Sequence, residues 1–211
     1  MQRHLGSPAR RASGCLSAPE SADPALVDFT AASWVLKSTN LMNKVENPVV
    51  ARSQLGPPEL LAAVRRLART GGVPETSSLR GLLPTGTSKR WYEPLFAEEG
   101  LDAWLLWWSC GGDIDLHDHG GASGAIYVLD GSLVETSGTP RSHRLRVRTI
   151  QAGGSIAFGP DHVHDIVNSG AVPAVSLHVY GPRLEAMTYY RIDERSGRLL
   201  RDRSEPVDTL T

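Results

Sequence analysis

A helical pattern of apolar residues begins near residue 57, directly after two prolines. Its members recur at the three- and four-residue spacing of one helix face and are Leu60, Leu61, Val64 and Leu67. Prolines and an acid at the start, and a glycine pair just past the end, are typical boundary signals. We therefore expect one amphipathic helix over about residues 57–70.

From about residue 90 the pattern changes to short runs of Trp, Val, Ile, Leu and Tyr that are separated by glycine-bearing turns. Asp130-Gly131 has the composition of a hairpin turn. Strands are predicted near residues 91–95, 102–109, 114–119, 124–130, 132–136, 144–150, 155–158, 163–168, 174–181 and 187–193. Because no helical pattern intervenes, the runs predict a mainly β domain, a sandwich or barrel rather than a parallel α/β sheet.

The 211-residue chain divides at about residue 55. Residues 1–55 show no periodicity that places a regular element, and their first part has the low hydrophobicity of disordered segments. We expect them to form an N-terminal extension that is partly disordered. Residues 56–211 have a length that suits one hydrophobic core, and we expect a single domain there.

Charge and hydrophobicity disfavour several classes of partner. The 22 basic and 23 acidic residues give a net charge of −1, which provides no global field for nucleic acid. The longest apolar runs, such as 103–108, fall far short of the ~18–20 residues of a membrane span. Two cysteines, Cys15 and Cys110, make neither a disulfide framework nor a zinc-ligand set. We expect a soluble cytoplasmic protein, and the composition leaves both a monomer and a dimer open.

The positions of the histidines along the chain indicate where a functional site lies. All but one of the seven histidines lie between residues 117 and 178. His117 and His119 are two apart on a predicted strand, so they share a face with their Cα atoms roughly 6.6 Å apart. One ion can bind both side chains at metal–nitrogen distances of ~2.0–2.2 Å. His162 and His164 repeat this spacing, and two such pairs favour a metal site over the alternative of two surface strands beside turns.

The two stretches resemble the two sequence motifs of the cupin family. The first resembles Gly-x5-His-x-His-x3–4-Glu-x6-Gly, and the second ends in His-x3-Asn. The matching positions are Gly111 or Gly112, His117, His119 and Gly131 in the first stretch, and Gly154, Pro160, His164 and Asn168 in the second. The resemblance implies a cupin-type double-stranded β-helix, or jelly-roll barrel, with an N-terminal helical segment. It also implies that His117, His119 and His164 bind the metal, with His162 beside the site or at the mouth of its pocket.

The first stretch departs from the general cupin motif because the expected glutamate is replaced by Ser123-Gly124. A site of three histidines without a carboxylate resembles the metal site of the thiol dioxygenases, and the surrounding sequence resembles that of bacterial cysteine dioxygenase type I. A later segment, Ala174–Pro182, resembles the Val-Ser-Leu-His-x-Tyr motif of that family. The resemblance implies that Ser176, His178 and Tyr180 form a hydrogen-bonded relay beside the metal. Animal enzymes carry a cysteine at the position of Gly124, so no thioether crosslink to Tyr180 is expected here.

The resemblance implies a non-heme iron enzyme that uses O2 to convert a small thiol into its sulfinic acid. Fe(II) bound by three neutral imidazoles keeps adjacent positions open, where a thiol and dioxygen can bind side by side. Without an anionic ligand from the protein, the iron favours an anionic thiolate. The expected partners are therefore a small-molecule thiol and O2.

The sequence indicates the substrate less clearly than it indicates the metal ligands. Cysteine dioxygenases place an arginine on the strand before the first motif, but the best alignment puts Glu93 there. Arg90 and Arg183 are the alternative ligands for a substrate carboxylate. The carboxylate of Glu93, with tryptophan faces such as Trp91 and Trp108, would suit a cationic thiol such as ergothioneine. Cysteine, ergothioneine and 3-mercaptopropionate all stay open.

Two alternatives to a dioxygenase also stay open. One is a non-catalytic cupin whose histidines hold a structural or sensing metal. The other is a cupin isomerase or hydrolase that uses zinc or manganese. The first predicts metal binding without oxygen uptake, and the second predicts turnover that needs no oxygen.

Overall fold

The structure is a computed structural model that describes residues 55–70, 89–98 and 100–207. The expected N-terminal extension lies outside the described residues, except for its last residue. The fold therefore concerns the helix and the β domain that follow it.

Helix α1 spans Pro57–Arg69, as predicted. Proline occupies its first turn with Glu59, and Arg66 and Arg69 lie in its last turn, where each charge complements the helix dipole. Its buried face consists of Leu60, Val64 and Leu67. No helix in the described ranges has the length and apolar character needed to cross a membrane.

The described residues form two antiparallel sheets. Their strands are β1 (Arg90–Glu98), β2 (Leu101–Trp108), β3 (Asp113–His117), β4 (Ser123–Asp130), β5 (Ser132–Gly138), β6 (Arg146–Gln151), β7 (Ser155–Phe158), β8 (Val163–Val167), β9 (Ala174–Gly181), β10 (Ala186–Ile192) and β11 (Leu199–Pro206). The strand order is β1-β2-β9-β4-β7 in one sheet and β11-β10-β3-β8-β5-β6 in the other. This is the expected cupin barrel, and all ten predicted strands are present.

Strand β9 lies at the centre of the five-stranded sheet, between β2 and β4, and all eight of its residues are buried. Its apolar residues Val175, Leu177 and Val179 pack in one core cluster with the buried face of α1. The alternate residues Ser176, His178 and Tyr180 therefore point into the barrel, because successive strand residues face opposite sides. Helix α1 thus covers the outer face of the strand whose inner face carries the predicted relay.

Strand β3 ends at His117, two residues earlier than predicted, because Gly120 and Gly121 turn the chain with φ of 61° and 90°. Asp118, between the two histidines, faces away from them. Its carboxylate accepts hydrogen bonds from the Tyr190 hydroxyl (2.8 Å) and from the backbone of Gly120 and Thr188 (both 3.0 Å). These bonds hold the turn that presents His119.

Strand β11 is not predicted by the sequence pattern. It lies at the edge of its sheet, pairs with β10, and is exposed along most of its length. Because only Leu199 among its residues is buried, no alternation of apolar and polar residues marks it. The strand nevertheless matters for the site, since it brings Glu205 and Pro206 opposite Met187 and Ala186.

Candidate metal centre and its pocket

Three histidine rings form a nearly equilateral triangle inside the barrel. His117 on β3 is paired with His164 on β8, and His119 follows two residues after β3. The ring centroids are 4.8 Å apart for His117 and His164, 5.0 Å for His117 and His119, and 4.9 Å for His119 and His164. All three are buried, and one ring nitrogen from each lies within 4.8 Å of the others. The structure thus brings together the three predicted metal ligands.

The hydrogen bonds of two rings leave their second nitrogen for a metal. His117 Nδ1 lies 2.8 Å from the carbonyl oxygen of Asp115, and His164 Nδ1 lies 2.9 Å from Glu135 Oε1. Each Nδ1–H donates to its oxygen, so each Nε2 carries the free lone pair. Neither ring nitrogen of the buried His119 has a hydrogen-bond partner among the described residues. A metal ion would give one of these two buried nitrogens a partner, so the three histidines fit a metal site.

The three rings are neutral. Burial, followed by the nearby His164, holds the pKa of His117 well below its ordinary value. The pKa of His119 is lowered by burial and then by His164 and His117. Burial also lowers the pKa of His164, although its hydrogen bond to Glu135 opposes this. Neutral imidazole is the form that binds a metal.

Glu135 is a residue of the site that the sequence reasoning missed. Its carboxylate is fully buried on β5 and accepts hydrogen bonds from His164 Nδ1 (2.9 Å), His162 Nε2 (3.0 Å) and Arg148 Nε. Burial would raise the pKa of Glu135, but these three bonds outweigh it and hold the pKa far below its ordinary value. Glu135 therefore fixes the ring of His164 with an anionic oxygen, which strengthens that ring as a ligand.

His162 is placed beside the site, as expected, but its nitrogen is directed at Glu135 and not into the pocket described below. Its ring stacks on Phe158 with centroids 4.5 Å apart, and Phe158 also stacks on His119, with centroids 4.7 Å apart. The rings of His119 and His162 themselves lie 6.4 Å apart, so the three rings form one aromatic cluster. Glu135, His162 and His164 also form a second group of closely spaced ligand atoms. Arg148 already binds the carboxylate of that group, so the group forms an ion-paired support for His164.

The predicted relay is present on β9 and extends to a tryptophan. Trp108 Nε1 donates to Ser176 Oγ (2.9 Å), which lies 3.0 Å from His178 Nε2. His178 Nδ1 lies 3.1 Å from the Tyr180 hydroxyl. The Tyr180 ring lies 5.3 Å from the ring of His119, at the metal centre. Burial lowers the pKa of His178 to about 3 and raises the pKa of Tyr180, so both are neutral near neutral pH.

Gly124 lies directly opposite Tyr180 in the β4–β9 pairing. A Cβ atom on this residue would meet the Phe158 ring at 2.5 Å and Tyr180 Cδ1 at 3.0 Å. The position therefore has no room for a side chain while Phe158 keeps its place. This fits the expectation that Tyr180 carries no crosslink.

A cavity of about 210 Å³ lies beside the metal centre. His117 and Tyr180 line its inner end. Its other lining residues are Arg90, Tyr92, Trp104, Leu106, Ile114, Leu184, Met187, Tyr189, Glu205, Pro206 and Val207. A larger groove of about 790 Å³ lies on the far side of Phe158 and His162, and its lining includes none of the three ligand histidines. The smaller cavity is therefore the candidate substrate pocket.

The strand pairing decides which of the predicted substrate residues reach this pocket. On β1, Arg90 and Tyr92 pair with Trp108 and Leu106, on the inner side of β2, whereas Glu93 pairs with Leu105. Leu105 belongs to the core cluster beneath α1, so Glu93 and Trp91 are directed to the helix side of the sheet. The structure therefore does not bring Glu93 or Trp91 to the pocket. Burial also raises the pKa of Glu93, so the side chain is less suited to bind a cation as an exposed carboxylate.

Arg90 is the predicted arginine that lines the pocket. Its guanidinium carbon lies 5.8 Å from the centroid of the Trp108 ring, which places Trp108 beneath Arg90 and outside the lining. Arg183 also lies outside the lining, and its charge acts on the buried Asp102. Of the two arginines that the sequence offered for a carboxylate, the geometry favours Arg90.

Fold and site together define a cupin with a candidate metal centre of three histidines and no carboxylate among them. The family model described as cysteine dioxygenase type I matches residues 95–195, which include the three histidines and the relay. Over these residues the chain is similar to the cysteine dioxygenases of type I. No curated protein matches it.

Three of the solved structures that resemble part of this chain are the following. A protein of Thermus thermophilus is 23% identical with a TM-score of 0.43, and the match covers 53% of this chain and 97% of that one. A protein of Bacillus halodurans is 18% identical with a TM-score of 0.43, covering 53% and 80%. An oxalate oxidase is 17% identical with a TM-score of 0.44, covering 50% of this chain and 57% of the oxidase.

Proposed function

We propose that the protein is a non-heme iron dioxygenase that converts a small thiol into its sulfinic acid. The observation that carries this proposal is the set of three neutral histidines, without a coordinating carboxylate, beside the chain of Ser176, His178 and Tyr180. Ferrous iron held by His117, His119 and His164 would supply adjacent open positions for a thiolate and for O2. In the overall reaction, a thiol and one O2 give one sulfinic acid, so both oxygen atoms end on the sulfur.

The relay donates a hydrogen bond to the pocket. The indole N–H of Trp108 can only donate, and it occupies one lone pair of Ser176 Oγ. Ser176 then gives its own hydrogen to His178 Nε2, and His178 Nδ1–H donates to the oxygen of Tyr180. This order leaves the Tyr180 hydrogen free to point at the reacting atoms. Since the pKa of His178 is about 3, the chain does not accept the thiol proton near neutral pH.

Arg90 orients the substrate. Its guanidinium is held over the Trp108 ring at the wall of the pocket, where it can pair with a carboxylate on the thiol. Aliphatic and aromatic side chains such as Leu106, Ile114 and Leu184 complete the wall and exclude water. The substrate we propose is therefore a small thiol that carries a carboxylate, such as cysteine, ergothioneine or 3-mercaptopropionate.

The direct test loads the protein with ferrous iron under anaerobic conditions and offers it these three thiols with isotopically labelled O2. We expect consumption of one O2 for each thiol and a sulfinic acid with two labelled oxygen atoms. Absence of uptake with every thiol, despite bound iron, would contradict the proposal and favour a non-catalytic metal site. Turnover with zinc or manganese in the absence of O2 would instead favour an isomerase or hydrolase.

Tyr180→Phe tests the role of the relay. We expect this variant to bind iron as the original protein does and to turn over about a hundredfold more slowly, because one donor to the reacting atoms is lost. Tyr127→Phe is a matched control, since Tyr127 lies on the helix side of the same sheet and packs against its core. Equal losses in both variants would argue against a donor role for Tyr180.

A further inference from the structure

The groove of about 790 Å³ opens at the side of the barrel, where both sheets end. Strand β6 is the last strand of the six-stranded sheet, and β7 is the last strand of the five-stranded sheet. Both line the groove, β6 with Arg146, Val147 and Arg148, and β7 with Ala157 and Phe158. The volume suits a small molecule, since ligand pockets measure roughly 300–1,000 Å³. The groove shares no lining residue with the candidate substrate pocket, so the two are separate.

The groove carries an excess of positive charge. Residues 136–160 contain four arginines and no acid. Three of these arginines, Arg144, Arg146 and Arg148, line the groove, and Asp161 is the one acid among the described residues of the lining. Neither Arg144 nor Arg146 makes an ion pair with a described residue. Within the described part of the chain, these two charges therefore have no direct partner.

Arg148 adds hydrogen-bond donors, although its charge is balanced. Its Nε donates to the buried carboxylate of Glu135, and its side chain is nevertheless 44% exposed. A guanidinium has five N–H donors in one plane, so the four on the terminal nitrogens are not used by Glu135. The bond to Glu135 also holds the guanidinium in place, which lowers the entropy that a ligand must overcome to bind it.

Ser137 places a hydroxyl at the floor of the groove. It lies opposite Arg146 in the β5–β6 pairing and is only 8% exposed. It lines the groove, and its hydroxyl makes no hydrogen bond to a described residue. Such a buried hydroxyl gains free energy when a ligand or water binds it. Because side chains opposite each other on one sheet face have Cβ atoms about 4.5–5.5 Å apart, Ser137 and Arg146 can contact the same bound group.

We propose that this groove binds the phosphate group of a small molecule. The guanidinium fork matches the geometry of phosphate oxygens, and a phosphate monoester carries about −1.5 to −2 charge near pH 7. One such group balances Arg144 and Arg146 together, which a single carboxylate cannot do, while Arg148 and Ser137 donate to its other oxygens. The phosphate compound is a second ligand of the protein and not the thiol, because none of the three predicted metal ligands lines the groove.

The test is a calorimetric titration of the full-length protein with methyl phosphate at about pH 7.5 and constant ionic strength. We expect Arg146→Gln to weaken binding about five- to tenfold, since it removes a charged fork. Ser137→Ala should weaken it about threefold, through loss of one neutral donor. Arg141→Gln is the matched control, because it removes the same charge from the same basic segment at a residue that does not line the groove.

Two further anions test the chemical class. Methyl sulfate has the same tetrahedral shape with a single charge and should bind about fivefold more weakly than methyl phosphate. Succinate, which carries two carboxylates, should also bind more weakly, because its charges are spread over two groups. Equally tight binding of succinate would overturn the assignment to a phosphate group.

The variants also separate this groove from other places where an anion could bind. Equal losses in Arg141→Gln and Arg146→Gln would show a diffuse attraction and overturn the site, as would absence of binding to the original protein. His117→Ala should keep the affinity, because His117 does not line the groove. Loss of binding in His117→Ala, with no change in Arg146→Gln, would place the phosphate at the metal centre and overturn the proposal. None of these outcomes depends on oxygen uptake.

Discussion

Gly124 shows how one missing side chain shapes the site. The ring edges of Phe158 and Tyr180 occupy the space that a Cβ would need, and Phe158 in turn packs on His119, one of the three predicted metal ligands. The position is thus part of the packing that holds the metal centre. The sequence reasoning identified Gly124 only as the residue that replaces a cysteine, and the steric role of the glycine appears once Phe158 is in place.

Gly124→Ala should therefore destabilise the protein. Because the new methyl would lie 2.5 Å from Phe158, we expect a loss of about 1–3 kcal/mol in the free energy of unfolding, measured by denaturant titration. Gly159→Ala is the control, since a Cβ there meets nothing within 4 Å. An equally stable Gly124→Ala variant would mean that Phe158 can move freely.

Glu135 supports the metal centre through a single histidine. Glu135→Gln would remove the anionic partner of His164. The new amide has only one acceptor oxygen, and its NH2 group would face donors such as Arg148 Nε. We expect about ten- to a hundredfold weaker metal affinity, measured by chelator competition. If the affinity stayed unchanged, the hydrogen bond to His164 would have no effect on the ligand.

His178 is one of four buried histidines with a lowered pKa that make the metal-free protein sensitive to acid. Its pKa is about 3 in the folded protein, below the ordinary 6.5 of an unfolded chain, so unfolding takes up a proton in the window between these values. Its stabilising contribution is complete above about pH 6.5 and is lost as the pH falls towards 3, by about 1.4 kcal/mol per pH unit. Denaturant titrations of the original protein and of His178→Gln should show a shallower decline for the variant. Parallel declines would contradict the depressed pKa.

At the level of elements, the sequence predicts strands wherever burial imposes a periodic pattern. The histidine pairs were identified because two-residue spacing directly implies a shared face. Glu135 was missed although it shares the buried face of β5 with Leu133 and Ser137. An acid at an inward-facing position of a strand is unusual, and this could have identified it. Its partners His162 and His164 lie on or near β8, and only the pairing of β5 with β8 brings them together. Glu205 was missed for a different reason, because the exposed edge strand β11 has almost no apolar residues.

Leu199 anchors the start of β11 and packs with Leu116, Val163 and Tyr190. Leu199→Ala should loosen this strand without unfolding the barrel, because the rest of β11 contributes little burial. We expect faster hydrogen exchange at the β11 amides that pair with β10, whereas the amides of the central strand β9 keep their protection. Equal protection of β11 in both proteins would show that its backbone pairing alone is sufficient.

At the scale of the whole molecule, the metal centre joins parts of the chain that are far apart in sequence. The predicted ligands come from β3, the turn after it and β8, and β9 brings the predicted relay from the opposite sheet. Since the ligands meet only when the barrel is closed, metal binding should stabilise the folded state, by about 2.7 kcal/mol at a hundredfold excess over Kd.

Thermal unfolding with and without divalent metal tests this linkage. We expect a metal-dependent rise in the Tm of the original protein and its loss in His119→Ala, because His119 has no other partner for its nitrogens among the described residues. His162→Ala should keep most of the rise, since its nitrogen is directed at Glu135. The reverse outcome would assign the ion to the group of Glu135, His162 and His164.

The hydrogen bond from Trp108 to Ser176 has a practical consequence. An indole at the start of the relay, with its ring 6.4 Å from that of His178, is an intrinsic fluorophore whose emission depends on the local field. Any rearrangement of the Ser176–His178–Tyr180 chain during substrate arrival would change that emission. The Trp108 share of the emission of the five tryptophans thus reports on the buried end of the relay, with no label attached to the protein.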